Sequence, residues 1–156
     1  MKTNENAQVS TDERNASVGL VAKLENYKKI AREGLRMNLI SPRLSRIAGL
    51  ETDVKNVQED INDNEHQIKV ENYEISKLDT EHPNYDKKKE SKELNVKHYT
   101  ESNERLVKNM EETNKLIAEQ RENIAKIESG ETKVSLDELN SLVEDMVKQD
   151  VLNKVA

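Results

Sequence analysis

The sequence predicts an all-α protein: a long antiparallel two-helix coiled-coil hairpin, with N-terminal and C-terminal amphipathic helices packing at its open end. Of the 156 residues, 36% are charged and 3% are aromatic, and there is no Phe, Trp or Cys. A rounded core depends on large aromatic side chains, so this composition favours a thin core between long helices. A β-branched residue also recurs every seven residues from Ile40 to Ile75, which is the period of a coiled coil.

The first part of the chain divides into a tail and a helix. Residues 1–16 are polar and lack periodicity, so we expect a flexible tail. From Ser17, apolar residues follow in steps of three and four, which predicts a helix over residues 17–39. Ser41 and Pro42 then predict a break, because serine is a good N-cap and proline a good first residue of the next helix.

The two arms of the predicted hairpin span residues 41–80 and 84–129. The first arm carries the seven-residue series Ile40, Ile47, Val54, Ile61, Ile68 and Ile75. The second ends at Ser129 and Gly130, and glycine is the usual residue just past a helix C-terminus.

The register of the hairpin is predicted by its polar residues. Folding about residues 81–82 matches the apolar layers and pairs Arg43 with Gln120, Glu71 with Lys92, and Asn64 with Tyr99. Because each unpaired buried polar group costs roughly 1–3 kcal/mol, a register that pairs them is favoured.

A last helix is predicted over residues 135–155, where Ser135 and Glu138 match a capping box. Residues 17–40 are net basic and residues 135–156 are net acidic. We therefore expect the first and last helices to pack together, or else to dock on other subunits. The apolar face of the last helix is a candidate interface: Leu139, Leu142, Val143, Met146 and Val147.

The turn of the hairpin is the second candidate site, as a contact for a partner protein. Its residues are Asp79, Glu81, His82, Asn84, Tyr85 and Asp86. Their acids and histidine also suit a metal. However, the spacing matches no ligand motif, and aspartate, asparagine and proline are ordinary turn residues. His66 and His98 fall opposite each other but on outer faces, so we expect two solvated histidines, and no metal or cofactor.

Several functions are disfavoured by the sequence. Without cysteine there is no disulfide, thiolate or sulfur-ligated zinc site. No phosphate loop or nucleophile elbow is present, so we expect no enzymatic activity. A net charge of -6 disfavours nucleic acid as a partner. The lack of a signal peptide or an apolar run of ~20 residues predicts a soluble protein, intracellular or part of a viral particle, that does not bind membranes.

The leading functional hypothesis is a non-enzymatic structural, assembly or protein-binding protein that uses a rigid coiled-coil arm. A phage virion or scaffold component is one example, and its partners would be other protein subunits, including copies of itself.

A second hypothesis comes from the outline of the chain, a hairpin with the acidic tip residues Asp79, Glu81 and Asp86. In outline it resembles bacterial transcription factors that insert a coiled-coil hairpin into the secondary channel of the polymerase. The resemblance implies a regulator or inhibitor whose tip enters a large host enzyme. The β domain or zinc-binding cysteines of those families are missing, so no residue role is transferred. A secretion chaperone or stalk-like hairpin is a further alternative.

Overall fold

The computed structural model of the protein describes the backbone of residues 2–155 and the side chains of residues 19–155. Over this range the chain forms three α-helices: α1 (Lys2–Ser76), α2 (Tyr85–Ser129) and α3 (Leu136–Val155). No strand occurs in residues 2–155. The predicted all-α class is therefore confirmed.

The start of α1 differs from the sequence prediction. The helix begins at Lys2, whereas we expected a flexible tail over residues 1–16 and a helix from residue 17. Residues 2–18 contain neither proline nor glycine, so no strong helix breaker separates them from the rest of α1. Met1 and the side chains of residues 2–18 lie outside the described part.

The predicted break at Ser41 and Pro42 is wrong, because α1 continues through Pro42. A proline inside a helix removes one backbone hydrogen bond and costs about 3 kcal/mol relative to alanine. On either side of it, Ile40 and Ile47 are buried, at 6% and 7% exposure. An uninterrupted helix keeps the seven-residue series in phase across the proline, so burial of the series offsets the local cost.

The chain divides into two compact units. The terminal unit comprises Met1–Pro42 and Ile124–Ala156, and the central unit comprises Arg43–Asn123. α1 and α2 contribute to both, whereas α3 belongs to the terminal unit alone.

In the central unit, α1 and α2 contact each other through aliphatic and polar side chains. Ile47, Ile61 and Ile117 are buried. Polar contacts join Arg43 to Gln120, Glu51 to Arg121, Asn64 to Asn103, and Glu74 to Lys92. As the residue number increases along α1, the number of the α2 partner generally decreases. This order is expected of antiparallel neighbours.

In the terminal unit, α3 packs against α1. The buried centre consists of Ala31, Leu139 and Val143, at 1%, 4% and 9% exposure. Half-buried apolar side chains surround it: Tyr27, Leu35, Leu142, Met146 and Val147. Ile40, Ile124 and Ile127 are buried in the same unit. The packing of the first and last helical segments within one chain agrees with the expectation from their opposite charges.

Two caps within the terminal unit mark the end of α2 and the start of α3. α2 ends at Ser129, and Gly130 has a φ of 82°, a conformation that costs side-chain-bearing residues free energy. Its N–H donates to the Ile127 carbonyl at 3.2 Å. At the start of α3, the Ser135 hydroxyl accepts a hydrogen bond from the Glu138 N–H at 3.4 Å. The predicted caps at Gly130 and Ser135 are confirmed.

Candidate functional site

The α1–α2 turn, residues 77–84, contains four of the six predicted tip residues. Asp79, Glu81, His82 and Asn84 are exposed there. Tyr85 and Asp86 form the start of α2, where Tyr85 is half-buried and Asp86 is exposed. The sequence had predicted that this helix ends at residue 80, whereas α1 ends at Ser76. The structure thus brings the six residues together on a short, solvent-facing stretch of the central unit.

Two of these side chains stabilise the turn itself. The Asp79 carboxylate accepts a hydrogen bond from the Glu81 N–H at 3.0 Å. Nδ1 of His82 accepts one from the Asn84 N–H at 3.0 Å, which requires Nδ1 to be unprotonated. The carbonyls of the same two residues accept from the N–H groups of His82 and Tyr85. Asp79 and His82 therefore have structural roles, while the Glu81 and Asp86 carboxylates face solvent.

Metal binding receives no support from the geometry. Within the described side chains, no group of three or more His, Cys, Asp or Glu residues is placed to hold a metal ion. His66 and His98 are both exposed.

Near this turn, Lys92 of α2 links to two glutamates of α1. Its ammonium group pairs with the Glu74 carboxylate and lies 3.8 Å from Oε2 of Glu71. The hydrogen bond to Glu74 is the main reason why the pKa of Lys92 is raised. At 3.8 Å the second contact is an ion pair without a hydrogen bond, so Oε2 of Glu71 is buried without a hydrogen-bond partner in the described part. The predicted pairing of Glu71 with Lys92 is present.

The middle of the central unit holds a pair of asparagines. Nδ2 of Asn64 donates to Oδ1 of Asn103 at 2.8 Å and to the Ser102 hydroxyl at 3.3 Å. The sequence had placed Asn64 opposite Tyr99. Asn64 donates to Asn103 instead, and Nδ2 of Asn103 donates to the Ile61 carbonyl at 3.4 Å, because half-buried amides need partners.

The five candidate interface residues of α3 contribute to the terminal-unit core. Leu139 and Val143 are buried, and Leu142, Met146 and Val147 are half-buried against them. In this chain the apolar face of α3 is therefore covered largely by α1.

A polar cluster between α1 and α3 was not predicted. The Tyr27 hydroxyl donates to the Asp150 carboxylate at 2.5 Å, and the Lys23 ammonium lies 3.0 Å from the same carboxylate. Lys154 is 3.8 Å away. The i,i+4 spacing of Lys23 with Tyr27, and of Asp150 with Lys154, is the signal in the sequence that would have indicated two complementary polar stripes.

These contacts shift the titration of the cluster. The hydrogen bond from Tyr27, followed by that from Lys23, lowers the pKa of Asp150. The hydrogen bond that the Tyr27 hydroxyl donates to this carboxylate is the main reason why the pKa of Tyr27 is raised. The neighbouring Lys23 lowers the pKa of Lys154. The cluster joins α1 to α3 through one hydrogen bond and one ion pair to the Asp150 carboxylate.

No protein-family model, curated protein or solved structure matches this chain. Across residues 2–155, none of the helices combines the length and the apolar character needed to cross a membrane.

Proposed function

We propose that this is a non-enzymatic assembly or protein-binding protein whose central unit is a two-helix coiled-coil arm. The observation that carries the proposal is the central unit itself. Its seven-residue series supplies Ile47 and Ile61 to a buried face, and polar pairs join α1 to α2 in antiparallel order. A seven-residue apolar period keeps one seam of a helix against its neighbour along its whole length.

Such an arm is suited to holding or spacing other proteins. Long helices present a defined surface over many turns, and the polar pairs favour one register over its neighbours. The partners are other protein subunits, including copies of this chain. A virion or scaffold component is one setting that uses such a part, and a secretion chaperone or a stalk is another.

The mass of the full chain in solution tests the assembly role. Light scattering over a range of concentrations is expected to give a mass above that of one chain, or a stable complex once the natural partner is added. Ile61→Asp, which places a charge in the seam, is expected to abolish this assembly. Val107→Asp on the more exposed surface of α2 is the control and should retain it. A chain that neither self-associates nor forms a stable complex with any captured protein contradicts the proposal.

A second candidate, a regulator that inserts its turn into a large enzyme, is favoured by the exposed carboxylates of the α1–α2 turn. The triple variant Asp79→Ala, Glu81→Ala, Asp86→Ala separates the two functions. An assembly protein carrying these changes should reach the same mass as the wild type. A regulator that acts through its turn should bind the same enzyme much more weakly. Since Asp79 also stabilises the turn, the pair Glu81→Ala, Asp86→Ala provides the same test with that contact intact.

A further inference from the structure

A cavity of about 320 Å³ lies in the terminal unit, between α1 and the segment that leads into α3. It shares Leu139 with the apolar face of α3, but its walls carry charged as well as apolar side chains. The charged walls come from α1 and from the α2–α3 connection, and the apolar walls come from the beginning of α3 and the residue before its cap. The side chains that matter are Arg32, Arg36, Lys133, Val134, Leu136 and Leu139.

The basic side chains at this cavity form no ion pair within residues 19–155. Of the basic residues in the first half of α1, Lys23 pairs with Asp150 and Lys28 pairs with Glu25. Arg32, Arg36 and Lys133 take part in none of the ion pairs formed among residues 19–155. No carboxylate lines the cavity either. Three cations that form no ion pair among residues 19–155 therefore line one cavity.

The apolar walls give the depression a second chemical character. Leu139 is buried at its base, with 4% of its surface exposed, and Val134 is half-buried. Leu136 is 71% exposed, although it is a large aliphatic residue in the first turn of a helix. An exposed leucine beside cations is a surface that an aliphatic group with a nearby negative charge would cover.

We propose that this cavity binds an acidic, aliphatic segment of a partner protein. An aliphatic side chain of the segment packs on Val134, Leu136 and Leu139, and a neighbouring carboxylate binds the guanidinium groups. Arg32 and Arg36 are one helical turn apart and therefore share a face of α1. A guanidinium matches a carboxylate with two parallel hydrogen bonds, which makes such pairs strong and specific.

The volume and the apolar base favour a peptide over an inorganic anion. A cavity near 300 Å³ is at the lower end of sizes for ligand sites and suits one or two side chains. A free phosphate would use the cations but leave the aliphatic walls in water. This inference rests on the proposed protein-binding function and specifies a site and a partner chemistry for it.

The test is a titration of the ¹⁵N-labelled full chain, followed by NMR, with three probes. They are acetyl-Leu-Glu-Leu-Glu-Leu-amide, the matched peptide with lysine in place of glutamate, and sodium phosphate. The acidic peptide is expected to bind best and to move the backbone signals of Arg32, Arg36 and Val134 most. The variant Arg32→Gln, Arg36→Gln is expected to weaken its binding at least about tenfold, since a hydrogen bond to a charged group contributes roughly 1.5–3 kcal/mol.

Arg46→Gln is the control, because it removes a positive charge from an exposed position of α1 outside the cavity. It should bind the acidic peptide as tightly as the wild type. Equal binding of the two peptides, or no localised shifts up to about 10 mM probe, would overturn the proposal. Phosphate binding as tight as the acidic peptide at the same residues would reassign the cavity to a simple anion site.

The result is separable from the proposed function. The double arginine variant should keep the circular dichroism and the self-associated mass of the wild type, because neither arginine belongs to the central unit. If Ile61→Asp no longer self-associates but still binds the acidic peptide, then peptide binding by the cavity does not depend on assembly through the arm. Conversely, if the wild type assembles but does not bind the acidic peptide, the cavity proposal is refuted and the proposed assembly function is not.

Discussion

The central and terminal units bury similar aliphatic side chains, but they place their polar contacts differently. In the central unit, half-buried polar pairs such as Asn64 with Asn103 and Arg43 with Gln120 lie among the apolar residues. In the terminal unit the buried centre is apolar, around Ala31, and the polar contacts gather on Asp150.

The two units therefore use different contacts to favour one packing of their helices over alternatives. A uniform aliphatic seam tolerates shifts along its length, so polar pairs that must meet are what specify its register. The terminal unit depends on close packing of apolar side chains around Ala31, which is 1% exposed. We therefore expect truncation of a buried apolar side chain to lower the unfolding free energy most in the terminal unit. In the central unit we expect replacement of a paired amide to lower the unfolding free energy and to loosen the register.

The largest expected effect is that of Leu139→Ala in the terminal unit. Leu139 is 4% exposed, and removing a buried leucine side chain generally costs about 2–5 kcal/mol of unfolding free energy. Urea unfolding followed by circular dichroism measures it. Leu136→Ala, the same change three residues earlier at a site 71% exposed, should stay within about 0.5 kcal/mol. Equal losses would contradict the assignment of this core.

Pro42→Ala is expected to raise the unfolding free energy, by up to about 3 kcal/mol, because Pro42 lies inside α1. If a new helix started at Pro42 instead, the gain would be absent. Ser41→Ala provides the companion measurement. A serine that caps a helix loses about 1 kcal/mol on this change, whereas one inside a helix gains slightly. Destabilisation by both changes would refute the continuous helix.

Asn64→Leu is expected to lower the unfolding free energy by about 1–3 kcal/mol, because Oδ1 of the half-buried Asn103 loses the hydrogen bond from Asn64. The double change Asn64→Leu, Asn103→Leu should recover most of this loss and loosen the register. A double-mutant cycle, with unfolding free energies measured in urea, gives the coupling free energy between Asn64 and Asn103. The exposed pair of Gln58 and Asn62 is the control, and Asn62→Leu should be close to neutral. Additive losses at Asn64 and Asn103 would contradict their coupling.

The smallest expected effect is a pH dependence from Asp150. Its pKa is lowered in the folded state, so the unfolded chain binds protons more readily near pH 4. The stabilisation by Asp150 is therefore complete above about pH 5 and declines as the pH falls through the lowered folded value. Thermal unfolding of wild type and Asp150→Asn across this range should differ in slope. Asp145→Asn on the same helix is the control, and a slope changed equally by both would exclude the Tyr27 and Lys23 contacts as the cause.

Much of the fold was predictable because it depends on periodicity and on local ends. The seven-residue series correctly indicated that Ile40, Ile47 and Ile61 are buried. Ser135 and Gly130 marked the start of α3 and the end of α2, since capping depends on residues a few positions apart. No pattern in the sequence distinguishes Asp79 and His82, which accept hydrogen bonds within the turn, from Glu81 and Asp86, which face solvent.

The sequence by itself determined the all-helical class, the caps at Gly130 and Ser135, and the burial of Ile40, Ile47 and Ile61. These features follow from side-chain chemistry within one or two turns of helix. Only the tertiary structure decided that α1 continues through Pro42, that Asn64 meets Asn103, and that Arg32, Arg36 and Lys133 share a cavity. Each of these depends on burial and contacts between residues far apart in the chain, whose free energy exceeds the local preferences that a sequence pattern records.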